Sequence, residues 1–137
     1  MKHFTIAELC TSETARARRI DNTPPSGVTL ALTALIEKLL DPIREAWGGP
    51  ISVNSGYRCP KLNAAVGGVS TSQHLRGEAA DISVGTPADN CRLFDRIAEM
   101  QKAGAIVFDQ LIDESNYRWI HISYRAGTNR NQILHLK

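Results

Sequence analysis

From Val28 to Trp47 the chain repeats Leu32, Leu35, Ile36, Leu39, Leu40, Ile43 and Trp47 at steps of three and four residues. That period gathers the apolar side chains on one wide helical face. A face of this width must be buried against another layer. It reads as core, not as a cofactor box. Pro42 lies inside the pattern and predicts a kink. Gly48-Gly49-Pro50 ends the helix.

The rest of the chain supplies the other layer in short pieces. Ile51 to Ser55 alternates as a strand, and Asp81 to Val84 reads as another. Ala105 to Ile112 is rich in β-formers, Glu114-Ser115-Asn116 makes a turn, and Arg118 to Tyr124 alternates as the returning strand of a hairpin. A last strand is expected at Ile133-Leu134. Thr86 as cap and Pro87 at the first helical position open a helix whose buried stripe is Cys91, Phe94, Ile97 and Ala98, and Gly104 stops it. Thr5-Ile6-Ala7-Glu8 is a capping box for a short helix, and Thr23-Pro24-Pro25-Ser26-Gly27 is a turn. Together these predict an α+β fold, a small antiparallel β-sheet flanked by helices, in one domain over residues 1–137.

Charge and composition narrow the function. Lys+Arg number 16 against 14 Asp+Glu, a net charge of +2. That balance argues against nucleic acid as a partner, and Arg16, Arg18 and Arg19 read as a solvated face. No apolar run approaches the roughly 18 residues of a membrane span. Met1-Lys2-His3-Phe4-Thr5 leads into polar sequence rather than a secretory signal, so the chain is expected to be cytoplasmic as synthesised. Cys10, Cys59 and Cys91 are odd in number and widely spaced, which suits reduced thiols.

The chemistry concentrates around two of the four histidines. His3 and His135 lie near the ends and read as solvated. Residues 56–77 have few periodic apolar positions and read as a long loop, a common place for function. His74 comes off this loop in Ser72-Gln73-His74-Leu75-Arg76-Gly77-Glu78-Ala79-Ala80-Asp81. Alternation puts Ala79 and Asp81 on one strand face and the apolar Ala80 and Ile82 on the other. His121 lies in Trp119-Ile120-His121-Ile122-Ser123, opposite in facing to Ile120 and Ile122. Two imidazoles and one carboxylate make a three-ligand metal set with open positions, suited to catalytic zinc or to non-haem Fe(II).

These motifs resemble the M15 peptidases, the zinc D-Ala-D-Ala carboxypeptidase family, and in particular its small phage and prophage-type branch. The resemblance also takes in Phe4-Thr5 with Glu8-Leu9, Asn22-Thr23-Pro24, Ser55-Gly56-Tyr57-Arg58, Leu62-Asn63 with Val66-Gly67-Gly68, and Phe108-Asp109-Gln110-Leu111-Ile112. It implies the fold shared with the amino-terminal signalling domain of hedgehog proteins. It implies Zn2+ held by His74, Asp81 and His121, and a nearby catalytic carboxylate. Many members carry that Glu three residues before the last histidine, where this chain has Arg118. Hedgehog-type members carry a Glu at the end of the preceding strand, which points to Glu114 here, with Asp113 as runner-up. Arg58 is given an oxyanion-stabilising or substrate-binding role, and Ser72 a role in orienting the loop or meeting substrate. The implied substrate is a peptidoglycan stem peptide, cut at D-Ala-D-Ala or at an internal bond such as L-Ala-D-Glu. The alternative is a zinc-containing peptidoglycan-binding module with little hydrolysis.

Overall fold

The computed structural model describes residues 1–136. Its helices are α1 (Ile6–Cys10), α2 (Glu13–Ala17), α3 (Ser26–Leu35), α4 (Asp41–Trp47), α5 (Pro60–Ala65) and α6 (Pro87–Lys102). Its strands are β1 (Ser52–Ser55), β2 (Ala79–Ser83), β3 (Gln110–Glu114), β4 (Trp119–Ser123) and β5 (Gln132–Leu136).

The apolar stripe behaves as expected. Leu32, Leu35, Ile36, Leu39, Leu40 and Ile43 are all buried in the core. Ahead of Pro42, where a kink is expected, the helix carries a π turn over Ile36–Leu40, in which the Asp41 amide donates to the Ile36 carbonyl. Pro42 has no amide to donate and its ring crowds the preceding turn, so one widened turn makes room without breaking the helix. Thr5 caps α1 by accepting from the Glu8 amide, as the capping box predicts. Buried Asp41 then accepts from the amides of Lys2 and His3, which ties the N-terminus to the helix layer.

The strands form one sheet in the order β1-β2-β4-β3-β5. The pairs β1–β2, β2–β4 and β4–β3 are antiparallel, but β5 runs parallel to β3. The last strand was expected in an antiparallel sheet. The excursion after β4 brings the chain back alongside the start of β3, with Gln110 opposite Gln132. β3 is also shorter than the β-rich run suggests. Residues 105–109 precede it, although Phe108 is fully buried. The loop over 56–77 contains α5 and a 3-10 turn, Gln73–Arg76. Cys59 caps α5 through its sulfur, and Pro60 occupies the first turn, a start signal that low apolar content hides.

Alternation gives the sheet two different faces. Ala80, Ile82, Leu111, Ile120 and Ile122 pack into the core with the helices. Asp81, Ile112, Glu114, Trp119 and His121 line a cleft on the other side. The β3–β4 turn is held from below by Asn90 of α6. Its amide nitrogen donates to the carbonyls of Tyr117 and Arg118 and to Ser83 Oγ, and its oxygen accepts from the Val84 amide at 2.7 Å. Ser115, Asn116 and Tyr117 all have positive φ, so the turn depends on such support. Asn90→Ala is expected to cost about 2 kcal/mol by leaving these part-buried groups without their partner. A urea-denaturation midpoint equal to wild type would contradict this.

Candidate metal centre

His74, Asp81 and His121 each offer a ligand atom, and the three atoms lie within 4.8 Å of one another. The fold brings them together in two ways. Asp81 and His121 face each other directly across the β2–β4 pairing. His74 arrives from the 3-10 turn, whose start is capped by Ser72 Oγ accepting from the His74 amide. Gly77 closes that turn with φ +71, beside Val28 and Leu32 of α3. Ser72 therefore orients the loop, and it also lines the cleft.

Hydrogen bonding fixes how the ligands present themselves. His74 Nδ1 lies 2.7 Å from the Gly56 carbonyl, so it carries the proton and donates. Its Nε2 is then left to face Asp81 Oδ1 at 3.3 Å. His121 Nδ1 approaches the same oxygen at 3.1 Å. Burial would raise the Asp81 carboxyl, but the hydrogen bond from His121 and the two adjacent imidazoles outweigh it and hold the group well below the usual carboxylate range. Two nearly buried imidazoles converging on one carboxylate oxygen want a cation among them. The donor set fits a three-ligand zinc site, and the Gly56 carbonyl is the outer partner such a histidine uses.

Arg58 closes the other side. Its Nη2 lies 3.5 Å from Asp81 Oδ2, its Nε donates to Ser55 Oγ at 3.0 Å, and its Nη1 donates to Asn63 Oδ1 at 3.3 Å. Its backbone amide donates to the His74 carbonyl. Arg58 is thus both held in place and open to the cleft.

Glu114 Oε2 lies 4.0 Å from His121 Nδ1, and Glu114 lines the cleft. Asp113 does not face it. Strand alternation buries Asp113 on the core side, where its carboxylate pairs with His135. A one-residue slip that exchanged the two acids would also expel Leu111 from the core. His135 is exposed, as its place near the end suggests, and pairs with Asp113, while His3 makes an exposed pair with Glu45. Arg118 is exposed in the turn and is not among the cleft-lining residues.

The cleft has a volume of about 590 Å³. Part of its wall was not anticipated from sequence. Asp109 is fully buried and accepts from Gln73 Nε2 at 3.1 Å and from the Arg130 guanidinium at 3.0 and 2.7 Å. Burial opposes its ionisation, but the Arg130 hydrogen bonds are stronger and keep its carboxyl below the usual range. An aspartate inside the run from Ala105 to Ile112 was the available signal, since a buried carboxylate requires partners.

The comparisons agree with this geometry. The chain is 38% identical over 88 residues to the zinc D-Ala-D-Ala carboxypeptidase of Streptomyces albus G, covering 61% of this chain. The chain spans only 32% of that relative's length. The sequence model of the Peptidase M15 family matches residues 2–123, which include every ligand candidate, Arg58 and Glu114. By that match over most of its length, the chain belongs to the M15 peptidase family.

Proposed function

We propose that the chain is a zinc-dependent peptidase that hydrolyses peptidoglycan stem peptides. The observation that carries this is the convergence of His74, Asp81 and His121 at the floor of an open cleft that also presents Glu114 and Arg58. The similarity to a carboxypeptidase named for zinc and D-Ala-D-Ala supports the metal and the substrate class.

His74, Asp81 and His121 would hold the ion. Zinc in such a set supplies a Lewis acid for the scissile carbonyl and a water of lowered pKa. The residues of the chain do the rest. Glu114 takes the proton of the attacking water at its carboxylate and returns it to the leaving amine nitrogen. Arg58 directs its guanidinium at the carbonyl oxygen as negative charge grows there. Its bonds to Ser55 and Asn63 hold it in place beforehand. His74 keeps its orientation through the Gly56 carbonyl, so no reorganisation is needed when substrate arrives.

A second reading, a peptidoglycan-binding module with the same metal and little hydrolysis, draws on Arg118, which stands where many family members carry an acid. One experiment separates the two. The protein is purified without chelator, bound metal is measured by elemental mass spectrometry, and isolated peptidoglycan is digested with fragments identified by mass. About one zinc per chain together with new amino and carboxyl ends is the expected result, and the fragment masses name the bond. Bound zinc without cleavage across several wall types favours the binding module. Stoichiometric iron overturns the zinc assignment.

A further inference from the structure

The segment after β4 returns to the cleft. Arg125 and Arg130 both line it, and both lie beyond residue 123, where the family match ends. The loop between them is pinned. The Arg125 amide donates to Asn129 Oδ1 at 2.8 Å, and Asn129 Nδ2 donates back to the Arg125 carbonyl at 2.9 Å. The parallel pairing of β5 with β3 then fixes the far end of the excursion.

Arg130 is oriented with unusual completeness. Its Nε and Nη2 grip the two oxygens of buried Asp109, and its own backbone amide donates to Asp109 Oδ1 at 3.2 Å. Gln73 Nε2 takes a further position on the same carboxylate. Asp109 is thus fully buried with its acceptors engaged, and an incoming ligand meets the cationic side of the pair. A guanidinium has two usable edges. Asp109 occupies the Nε/Nη2 edge, and among the described residues the Nη1/Nη2 edge, on a side chain about half exposed (51%), has no partner and is open to a second carboxylate in forked geometry.

We propose that Arg130, oriented by Asp109 and seconded by Arg125, is a specificity residue that binds a carboxylate of the peptide substrate. This rests on the peptidase reading of the same cleft. Two carboxylates of a stem peptide have the required chemistry, the free C-terminus and the α-carboxylate of γ-linked D-Glu. Arg130 would make the enzyme sensitive to amidation of one of them.

The test uses the zinc-loaded full chain and synthetic L-Ala-γ-D-Glu-L-Lys-D-Ala-D-Ala in three forms: free, amidated at the D-Glu α-carboxylate, and amidated at the C-terminus. Both kcat and KM are measured, and affinity is measured separately by calorimetry on an E114Q background. Wild type is expected to disfavour one amide by about 10- to 100-fold, mostly in KM and Kd, the scale of a charge-assisted bond. In R130Q that preference disappears, because the free peptide falls to the level of its amide. R130K, which keeps the charge but not the fork, retains part of it. Equal losses on all three peptides in R130Q, or no preference in wild type, overturn the proposal. If R130Q does not retain zinc, R130K and R125Q carry the comparison, and unchanged preference in both overturns it. If no peptide is cleaved, the peptidase reading fails, while calorimetry still decides whether Arg130 reads a carboxylate.

Discussion

Glu114→Gln should lower peptide hydrolysis by about a thousandfold while leaving zinc in place. The substitution keeps the size of the side chain and its position at the end of β3, opposite Trp119. It removes only the ability to take and return a proton. Glu114 Oε2 is 4.0 Å from His121 Nδ1, close to the ligand set but not one of its three members. Metal content measured by elemental mass spectrometry should therefore match wild type, with the loss falling in kcat rather than KM. Turnover within a few-fold of wild type would remove Glu114 as the base. Loss of zinc together with activity would mean that Glu114 holds the ion. Asp113→Asn serves as the contrast. Its carboxylate is buried toward His135, so it should affect stability before chemistry.

Gly56→Ala should be the most damaging small substitution in the chain. A Cβ at this position would stand 2.1 Å from the Leu9 carbonyl oxygen and 2.9 Å from the Leu9 carbonyl carbon. These are backbone atoms of α1, and the same carbonyl accepts the Tyr57 amide at 2.7 Å. No rotamer change relieves the clash. Either α1 or the segment after β1 must move, at a cost of about 3 kcal/mol or more. The Gly56 carbonyl is also the acceptor for His74 Nδ1, so the displacement reaches the metal ligands. Zinc affinity should fall about 10- to 100-fold, the usual effect of losing an outer partner of a ligating histidine. Urea denaturation of the metal-free protein and competition with a chelator read the two effects separately. A midpoint equal to wild type would show that α1 yields without cost.

Features with a local period were legible in the sequence. The stripe from Leu32 to Ile43 and the alternation through Ile120 and Ile122 each repeat what burial demands, so helix, strand and facing could be read directly. The Asp81 and His121 facings followed from the same alternation. The parallel partner of β5 was not legible, because strand pattern fixes which face is buried but not which neighbour is chosen. α5 and the Gln73–Arg76 turn were hidden for a different reason. They are held by caps and by Asn63, whose Nδ2 donates to the Val69 carbonyl, rather than by an apolar stripe. Gly56 and Asp109 were missed as supports because their partners are distant in sequence. His74 is 18 residues from Gly56, and Gln73 is 36 from Asp109.

The separation of Asp81 and His121 has a kinetic consequence. They are 40 residues apart and meet only when β2 and β4 pair, with all of α6 in the intervening chain. α6 can form on its own in about a microsecond or less, but closing that long loop comes late and is slow. An ion arriving early finds no cradle. A metal bound at this site would then act as a latch on a chain that has already folded. It would add to stability with the logarithm of its concentration and chiefly slow the return to the unfolded state. A chain made while zinc is scarce would then wait, folded and inactive, until the ion arrives.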